Sequence, residues 1–301
     1  MPDFLTHFLF GQKVFISQEA VPLLARREDT PVYLWGQQGP DPFFYRGALS
    51  GSPLAPLGDL LHQQAPGQFF YSAATFTLAQ AGRARETAQA YLAGLLCHYA
   101  LDRVVHPYVA AKQQELAPLW PDLCPAGVHY QIETDLDTDL CALWRKAPIR
   151  SCRPWEELGL DPVQREEIGR MWSVLFGQVC RLSLDPQEAV KALDDTVSIL
   201  KITYRGGKPT HFLARGLEVF TGKKGALSGH IKARRPQWDS LNLGGSPWKG
   251  PDGEVRTDTV PQLLEQAERD ARKLLADYGA MLAAGEIKYR IFEENYSGRP
   301  E

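Results

Sequence analysis

The 301-residue sequence has little of what marks several large classes of protein. Its five cysteines, at positions 97, 124, 141, 152 and 180, include no CxxC pair, so reduced thiols are expected and a zinc–thiolate site is not. No apolar run reaches the ~18 residues that a membrane-spanning helix needs. The first ten residues lack the basic and apolar regions of a secretory signal, which predicts a cytoplasmic protein.

Charge imbalance and strand-like alternation are also scarce. The net charge of −3 gives no general reason to expect a nucleic-acid-binding surface. The 44% hydrophobic and 23% charged content is that of an ordinary globular protein, and a chain of this length can bury one large core. Because apolar residues recur mainly at helical spacing, the sequence predicts an all-α multi-helix bundle with long loops, forming a single domain over residues 1–301.

The pattern also predicts where the helices lie. We expect helices over residues 12–27, 57–64, 84–106, 127–145, 161–183, 185–203 and 259–284. The 84–106 helix is expected to end at Pro107, because proline breaks a helix. Residues 31–58 are rich in Pro and Gly and predict a long ordered loop. Residues 222–258, rich in Gly, Pro, Lys and Arg, predict an irregular segment suited to a mobile loop or lid.

The first chemical signal is a triplet spaced by four residues, His98, Asp102 and His106. On an α-helix these three side chains share one face. The surrounding sequence AYLAGLLCHYAL is apolar nearly all round, which is typical of a buried helix. Buried imidazoles and carboxylates need partners, and a divalent cation supplies them more readily than an apolar core. The spacing therefore favours a metal site over a solvated polar stripe.

A second pair, His129 and Glu133, has the same i, i+4 spacing. Alone it is a weak motif, because such pairs are frequent on solvated helices. Asp137 continues the stripe, whereas Asp135 and Asp139 point elsewhere. We interpret this acidic run as a solvated face or as helix N-terminal charge.

Three further residues are weak ligand candidates when each is considered alone. Asp41 stands between Pro40 and Pro42, where it is either a fixed carboxylate ligand or a plain Asx turn. His7 and His62, taken singly, are as well explained as satisfied core histidines. The two remaining histidines, His211 and His230, are assigned to core or surface by default.

Taken in order, these segments resemble the zinc-dependent phospholipase C family over residues 1–140. The matching segments are Thr6-His7, Gly39-Pro40-Asp41, His62, His98-Tyr-Ala-Leu-Asp102, His106-Pro107 and His129-x-x-x-Glu133. The resemblance implies a helical fold shared with secreted single-strand nucleases, and two to three divalent ions, Zn first with Mn or Fe as alternatives. The implied ligand sets are Asp41, His62, His98 and Asp102 for one ion, His106, His129 and Glu133 for another, and His7 with bridging Asp102 for a third.

Two departures from that family affect the third ion and the metal spacing. Secreted members complete the third site with an N-terminal Trp, whereas here Asp3, the Met1 amine or water would have to do so, or the site is left incomplete. The interval between Asp102 and His106 is also shorter than in those members.

The resemblance implies phosphoester hydrolysis, in which a metal-bound hydroxide attacks phosphorus in line and Asp41 ligates a metal, orients the water or acts as general base. A small-molecule or phospholipid phosphoester is the expected substrate. A nuclease or nucleotide phosphatase is an alternative that would need aromatic platforms for bases. Candidate platforms are Trp35, Phe43, Phe44, Trp120, Trp155, Trp238 and Trp248, and the basic stretch 223–235 would contact phosphates. A metal-stabilised binding protein without turnover is the third reading.

Overall fold

The computed structural model describes residues 3–17, 26–47, 54–232 and 235–300. They are mostly helical, as the sequence predicts. The α-helices are α1 (Phe4–Ser17), α2 (Thr30–Gly36), α3 (Pro42–Tyr45), α4 (Ala55–His62), α5 (Pro66–Ala79), α6 (Gly82–Leu116), α7 (Pro125–Arg145), α8 (Pro162–Leu175), α9 (Pro186–Arg205), α10 (Gly207–Thr221) and α11 (Val260–Ala284). A π-helical turn, Phe176–Cys180, extends α8. Two short antiparallel strands are present, β1 (Trp248–Lys249) and β2 (Val255–Arg256).

The long helix α6 is the axis of the molecule, and α1, α2, α5, α7, α8 and α11 pack around it. Its buried side chains belong to one hydrophobic core that extends from Phe4 to Tyr296. Helix α2 crosses α6 in backbone contact, because a Cβ on Gly94 would lie 2.3 Å from the carbonyl oxygen of Tyr33. Only glycine permits so close an approach. The end of α2 is thereby held against the middle of α6, where the predicted ligands lie.

Helix α6 does not end at Pro107, so that prediction is wrong. The helix continues to Leu116, and Tyr108, Val109 and Leu116 are buried along the extension. Proline removes one helical hydrogen bond, which leaves the carbonyl of Arg103 without that N–H donor. Gly298 packs against this carbonyl, since a Cβ there would lie 2.4 Å from it. Tertiary packing therefore outweighs the local cost of the proline.

The predicted loop over residues 31–58 is also corrected. Its described part contains α2, α3 and the start of α4, and each of these helices has a proline in its first turn: Pro31, Pro42 and Pro56. Proline fits the first turn because the N–H it lacks would be unpaired there in any case. Residues 48–53 of the predicted loop lie outside the described residues.

Helix α1 begins at Phe4, earlier than the predicted residue 12, and residues 18–25 of that prediction lie outside the described part of the chain. The early start is supported by Asp3, whose carboxylate accepts from the N–H of Phe4 at 2.8 Å, and by a carboxylate from α7. Asp137 accepts hydrogen bonds from the backbone N–H groups of Leu5 and Thr6, at 3.1 and 2.8 Å. It also accepts one from the Thr6 hydroxyl at 2.7 Å. The bonds to Asp137 help to satisfy the first turn of α1, and no local sequence signal reveals them.

Residues 222–258 are irregular, as predicted, apart from a 3-10 turn and the β1–β2 hairpin; residues 233 and 234 are outside the description. The acidic run of α7 anchors this segment. Asp135 accepts a hydrogen bond from the Trp238 indole at 2.8 Å, and Asp139 accepts one from the Ser240 hydroxyl at 2.6 Å. The prediction of a solvated acidic face is therefore wrong, and these contacts favour a fixed covering segment over a lid. Helices α5 and α10 were not predicted.

Candidate metal centre

Asp102 lies in the middle of α6 with no exposed surface, and three imidazoles surround it. Its Oδ1 atom is 3.2 Å from Nε2 of His7. Its Oδ2 atom is 3.3 Å from Nε2 of His98 and 3.7 Å from Nε2 of His62. The structure thus brings together one carboxylate and three imidazoles that come from α1, α4 and α6.

Asp41, immediately before α3, completes this cluster. Its Oδ1 atom lies 3.4 Å from Nε2 of His62. Two triplets have ligand atoms that all lie within 4.8 Å of one another: His7, His98 and Asp102 form one, and Asp41, His62 and His98 form the other. His98 belongs to both, and Asp102 contacts the histidines of both. The two triplets therefore form adjacent candidate metal sites that share His98.

The facing atoms of this cluster are buried polar atoms without hydrogen bonds in the described residues. They are Nε2 of His7, His62 and His98, Oδ1 of Asp41, and both carboxylate oxygens of Asp102. Leaving one such atom unsatisfied costs ~1–3 kcal/mol, and more if it is charged. A divalent cation accepts nitrogen and carboxylate ligands of this kind. The donor set therefore fits a metal and explains why so many unsatisfied atoms converge.

Backbone carbonyls fix the direction in which two of these imidazoles point. Nδ1 of His98 donates to the carbonyl oxygen of Gln37 at 3.0 Å, and Nδ1 of His62 donates to that of Gly58 at 2.7 Å. Each bond leaves the Nε2 lone pair free for a cation, as in known histidine metal sites. The sequence did not indicate these supporting contacts, because both depend on backbone positions.

Gly39 has a positive φ of 49°, and a Cβ there would lie 2.3 Å from Cδ2 of His98. Only glycine, which has no Cβ and tolerates a positive φ, fits this position. The Gly39-Pro40-Asp41 segment therefore does two things: it lets the His98 ring sit beneath the backbone, and it brings the Asp41 carboxylate towards His62. The position of glycine before Pro-Asp-Pro was visible in the sequence, but its contact with His98 was not.

The other predicted ligands lie at the next turn of α6 and on the facing side of α7. Nε2 of His129 is 3.0 Å from Oε1 of Glu133, and Nδ1 of His129 donates to the side-chain oxygen of Gln113 at 2.8 Å. The ring of His106 lies 5.5 Å from that of His129, centroid to centroid. His106, His129 and Glu133 are thus neighbours, in a looser arrangement than the two triplets around His98.

Burial dominates the electrostatics of the centre. It lowers the pKa of His7 to about 3, and it lowers the pKa of His98 and of His106 well below the ordinary histidine value. Neutral imidazoles are the form that metal binding requires. Burial, reinforced by the nearby Asp102 carboxylate, raises the pKa of Asp41 well above its usual range. Two carboxylates this close favour the uptake of a proton or of a cation.

A buried ion network lies behind the centre, at the start of α1. The ammonium group of Lys232 is fully buried, bonds the Asp3 carboxylate and lies 3.2 Å from Oδ2 of Asp137. It also donates to the Thr134 hydroxyl at 3.1 Å. Asp3, which the sequence left open as a ligand of the third ion, is therefore engaged by Lys232. The network holds the first turn of α1, which carries His7.

Two aromatic residues that the ligand pattern did not single out contact the cluster. The ring of Tyr296 lies 5.3 Å from that of His62 and 5.9 Å from that of His98. Phe44 stacks on His62 at 5.7 Å. The side chains of His7 and Asp102 are fully buried, whereas those of Asp41 and His62 are each 12% exposed. Within this cluster, Asp102 and His7 are therefore the deepest side chains, and Asp41 and His62 are the least buried.

His230 lies close to this region, whereas His211 is on α10. The ring of His230 is 4.1 Å from that of Tyr130, the neighbour of His129. A cavity of about 840 Å³ lies elsewhere, between α1, α2 and the end of α7, and contains none of the predicted ligands.

Fold and site together define a helical protein whose described residues contain histidine–aspartate groups able to hold a metal ion. No helix in the described ranges is both long enough and apolar enough to cross a bilayer. All five cysteines are free thiols, and neither triplet includes one. Comparison of the chain with protein families, with curated proteins and with solved structures finds no match.

Proposed function

We propose that the protein is a metal-dependent phosphoester hydrolase that resembles the zinc-dependent phospholipase C family in the order of its candidate ligands along the chain. The observation that carries this proposal is the convergence of six buried, unsatisfied nitrogen and carboxylate atoms around Asp102. An apolar core or a solvated polar face would not gather them. Their residues are five of the eight that the family resemblance assigns as ligands.

The proposed ligands divide between two ends of one cluster. Asp41, His62, His98, Asp102 and His7 hold ions at the tighter end. His106, His129 and Glu133 hold one at the looser end. This accounts for two to three divalent ions. Imidazole and carboxylate donors without thiolate suit Zn, Mn and Fe alike, so Zn rests on the resemblance.

Bound divalent ions would lower the pKa of a water molecule towards ~7 and stabilise the charge that develops on a phosphoryl group. The protein's own contribution is orientation. The carbonyls of Gln37 and Gly58 hold the His98 and His62 rings, and Asp102 faces three imidazoles at once. Asp41, one of the two least buried residues of the tighter end, would ligate an ion or accept a proton from the attacking water.

The nuclease alternative receives less support from the aromatic residues. Trp35, Phe43 and Trp248 are buried in the core and cannot stack on a base. The basic stretch 223–235 is also divided, because Lys232 is buried in its ion network and only Lys223, Lys224 and Arg235 are exposed among its described cations. Phe44, half-buried against His62, is the one predicted platform in contact with the cluster among the described residues.

Metal content tests the proposal first. Protein purified without added metal is expected to contain two to three equivalents of a divalent ion by elemental analysis. Asp102→Asn should lose most of it, because that carboxylate contacts three imidazoles. Asp29→Asn is the matched control, since Asp29 is equally buried but pairs with Arg83 at 2.7 Å outside the centre. Retained metal in Asp102→Asn would contradict the assignment.

Hydrolysis is the second test. The metal-loaded protein should cleave a soluble chromogenic phosphodiester, and Asp102→Asn should reduce the rate at least ~100-fold, the scale of losing a transition-state stabilising group. Stoichiometric metal with no turnover on phosphodiesters, phosphomonoesters or phospholipids would instead support the non-catalytic binding protein. Salt-sensitive binding of single-stranded DNA would support the nuclease.

A further inference from the structure

Helix α10 presents its apolar side chains to solvent instead of to the core. Five of them are largely exposed: Phe212 80%, Leu213 64%, Leu217 51%, Val219 68% and Phe220 89%. At 100° per residue they cover one broad side of the helix. The opposite side carries buried Ala214 and Glu218. A helix normally buries its apolar stripe, so an exposed one of this size is typical of an interaction surface.

The buried side of α10 is fixed by a carboxylate. Glu218 accepts hydrogen bonds from the backbone N–H groups of Gly225, Leu227 and Ser228 at 2.8, 2.7 and 2.6 Å. Rotating the helix to bury Phe212 and Phe220 would break these bonds. The outward direction of the apolar side is therefore built into the packing.

Basic residues border this apolar side. Lys208 and Arg215 lie along one flank of α10, and Lys223 and Lys224 follow its end in the exposed loop. Lys224 has an acidic neighbour, Asp122, at 4.0 Å. The helix's own acidic residue, Glu218, is buried and bonded to the loop, and its carboxylate also lies 4.0 Å from the Arg215 guanidinium. The exposed face of α10 is thus apolar at its centre and positive at its edges.

We propose that α10 docks the protein on an anionic lipid surface, with Phe212 and Phe220 entering the headgroup–acyl boundary and the flanking cations meeting lipid phosphates. Aromatic and aliphatic side chains on one side, bordered by Lys and Arg, are the features of helices that lie in a membrane interface. A second copy of the chain fits less well, because a symmetric contact through α10 would bring like charges together.

Docking there would also place lipid against the helix whose following loop leads to the candidate metal centre. The loop that Glu218 holds continues into the 3-10 turn Ser228–His230, which packs on α7. His230 stacks near Tyr130, next to His129 of the centre. The link between lipid docking and the metal centre rests on the proposed function, whereas attachment of α10 to lipid does not.

Vesicle co-sedimentation of the full metal-loaded chain tests the docking. Binding is expected to vesicles that contain phosphatidylglycerol and to be at least ~10-fold weaker with phosphatidylcholine alone, because the cations contribute to attraction. Phe212→Ser with Phe220→Ser should weaken binding at least ~10-fold by removing buried apolar area. Ile291→Ser is the matched control, since Ile291 is 82% exposed on another segment and its loss should change nothing.

Equal binding by the double variant and the wild type, or no binding to either vesicle, would overturn the proposal. So would a dimer of the wild type that the double variant converts to monomer in sedimentation velocity, which would assign α10 to self-association. Hydrolysis of the soluble phosphodiester separates this proposal from the function. The double variant should keep that activity, and an inactive wild type that still binds vesicles would leave the docking standing without the hydrolase.

Discussion

The imidazole rings of His7 and His98 stack with centroids 4.4 Å apart, and both present Nε2 to the carboxylate of Asp102. Burial is the main reason that the pKa of each is low, and for His98 the neighbouring His7 lowers it further while Asp102 opposes it. Two stacked, neutral imidazoles that face one buried carboxylate form a donor set that a cation would satisfy, whereas the rings cannot satisfy one another. This contact links α1 to α6 through the candidate centre.

Metal removal should therefore destabilise the protein. Chelation leaves Asp102 and its histidines unsatisfied, so the apo form should unfold at a lower temperature than the metal-loaded form. A ligand present at 100 times its dissociation constant adds ~2.7 kcal/mol to stability. Calorimetry with and without chelator measures the difference. A chelator effect of the same size in His98→Ala would show that the stabilising metal binds elsewhere.

Gly39→Ala should disturb the centre without removing a ligand. The new Cβ would meet the His98 ring at 2.3 Å, and the positive φ adds strain. We expect metal affinity to fall ~10–100-fold, the range for displaced ligand support. Gly253→Ala is the matched control, because Gly253 also has a positive φ, of 87°, but has nothing within 4 Å. If the two variants bind metal equally well, Gly39 does not position His98 for metal binding.

Lys232→Met should be one of the most destabilising single substitutions. It leaves the Asp3 and Asp137 carboxylates in a buried site without their cation. Breaking a buried ion pair in this way costs ~3–5 kcal/mol. Urea unfolding measures the loss, and Lys224→Met, at a 51% exposed side chain, provides the control. A change below ~1 kcal/mol would mean that the network does not hold α1.

Glu218→Gln should destabilise the protein mainly at neutral pH. Burial raises the pKa of Glu218, but hydrogen bonds from Ser228, Gly225 and Leu227 outweigh it and the net pKa is lowered. A lowered carboxyl pKa contributes stability above the unfolded value of ~4.3 that is lost as pH falls through the folded value.

The stability difference between wild type and Glu218→Gln should therefore be ~1–3 kcal/mol at pH 7 and shrink towards acid pH. Thermal unfolding across pH measures it. Glu254→Gln, at an exposed position, is the control. A difference that is constant with pH would show that the Glu218 charge is not what holds the loop.

The sequence by itself determined the all-α class and most of the helices, because helical periodicity and capping are local. The helix predicted over 127–145 is observed as α7, and that over 259–284 as α11, which Thr259 caps. Spacing also selected the ligand candidates, since residues four apart on α6 must share a face.

Only the tertiary structure decided how those candidates meet and where several elements begin or end. Helix α6 continues past Pro107, where Gly298 packs on the carbonyl of Arg103 that lacks its helical N–H donor, and the first turn of α1 is held by Asp137 from α7. The outward face of α10 likewise depends on the bonds that Glu218 makes to the following loop. Each of these interactions joins groups that are distant in sequence or depend on backbone position. Helical periodicity and residue propensity describe a residue only by its near neighbours, so they cannot predict such contacts.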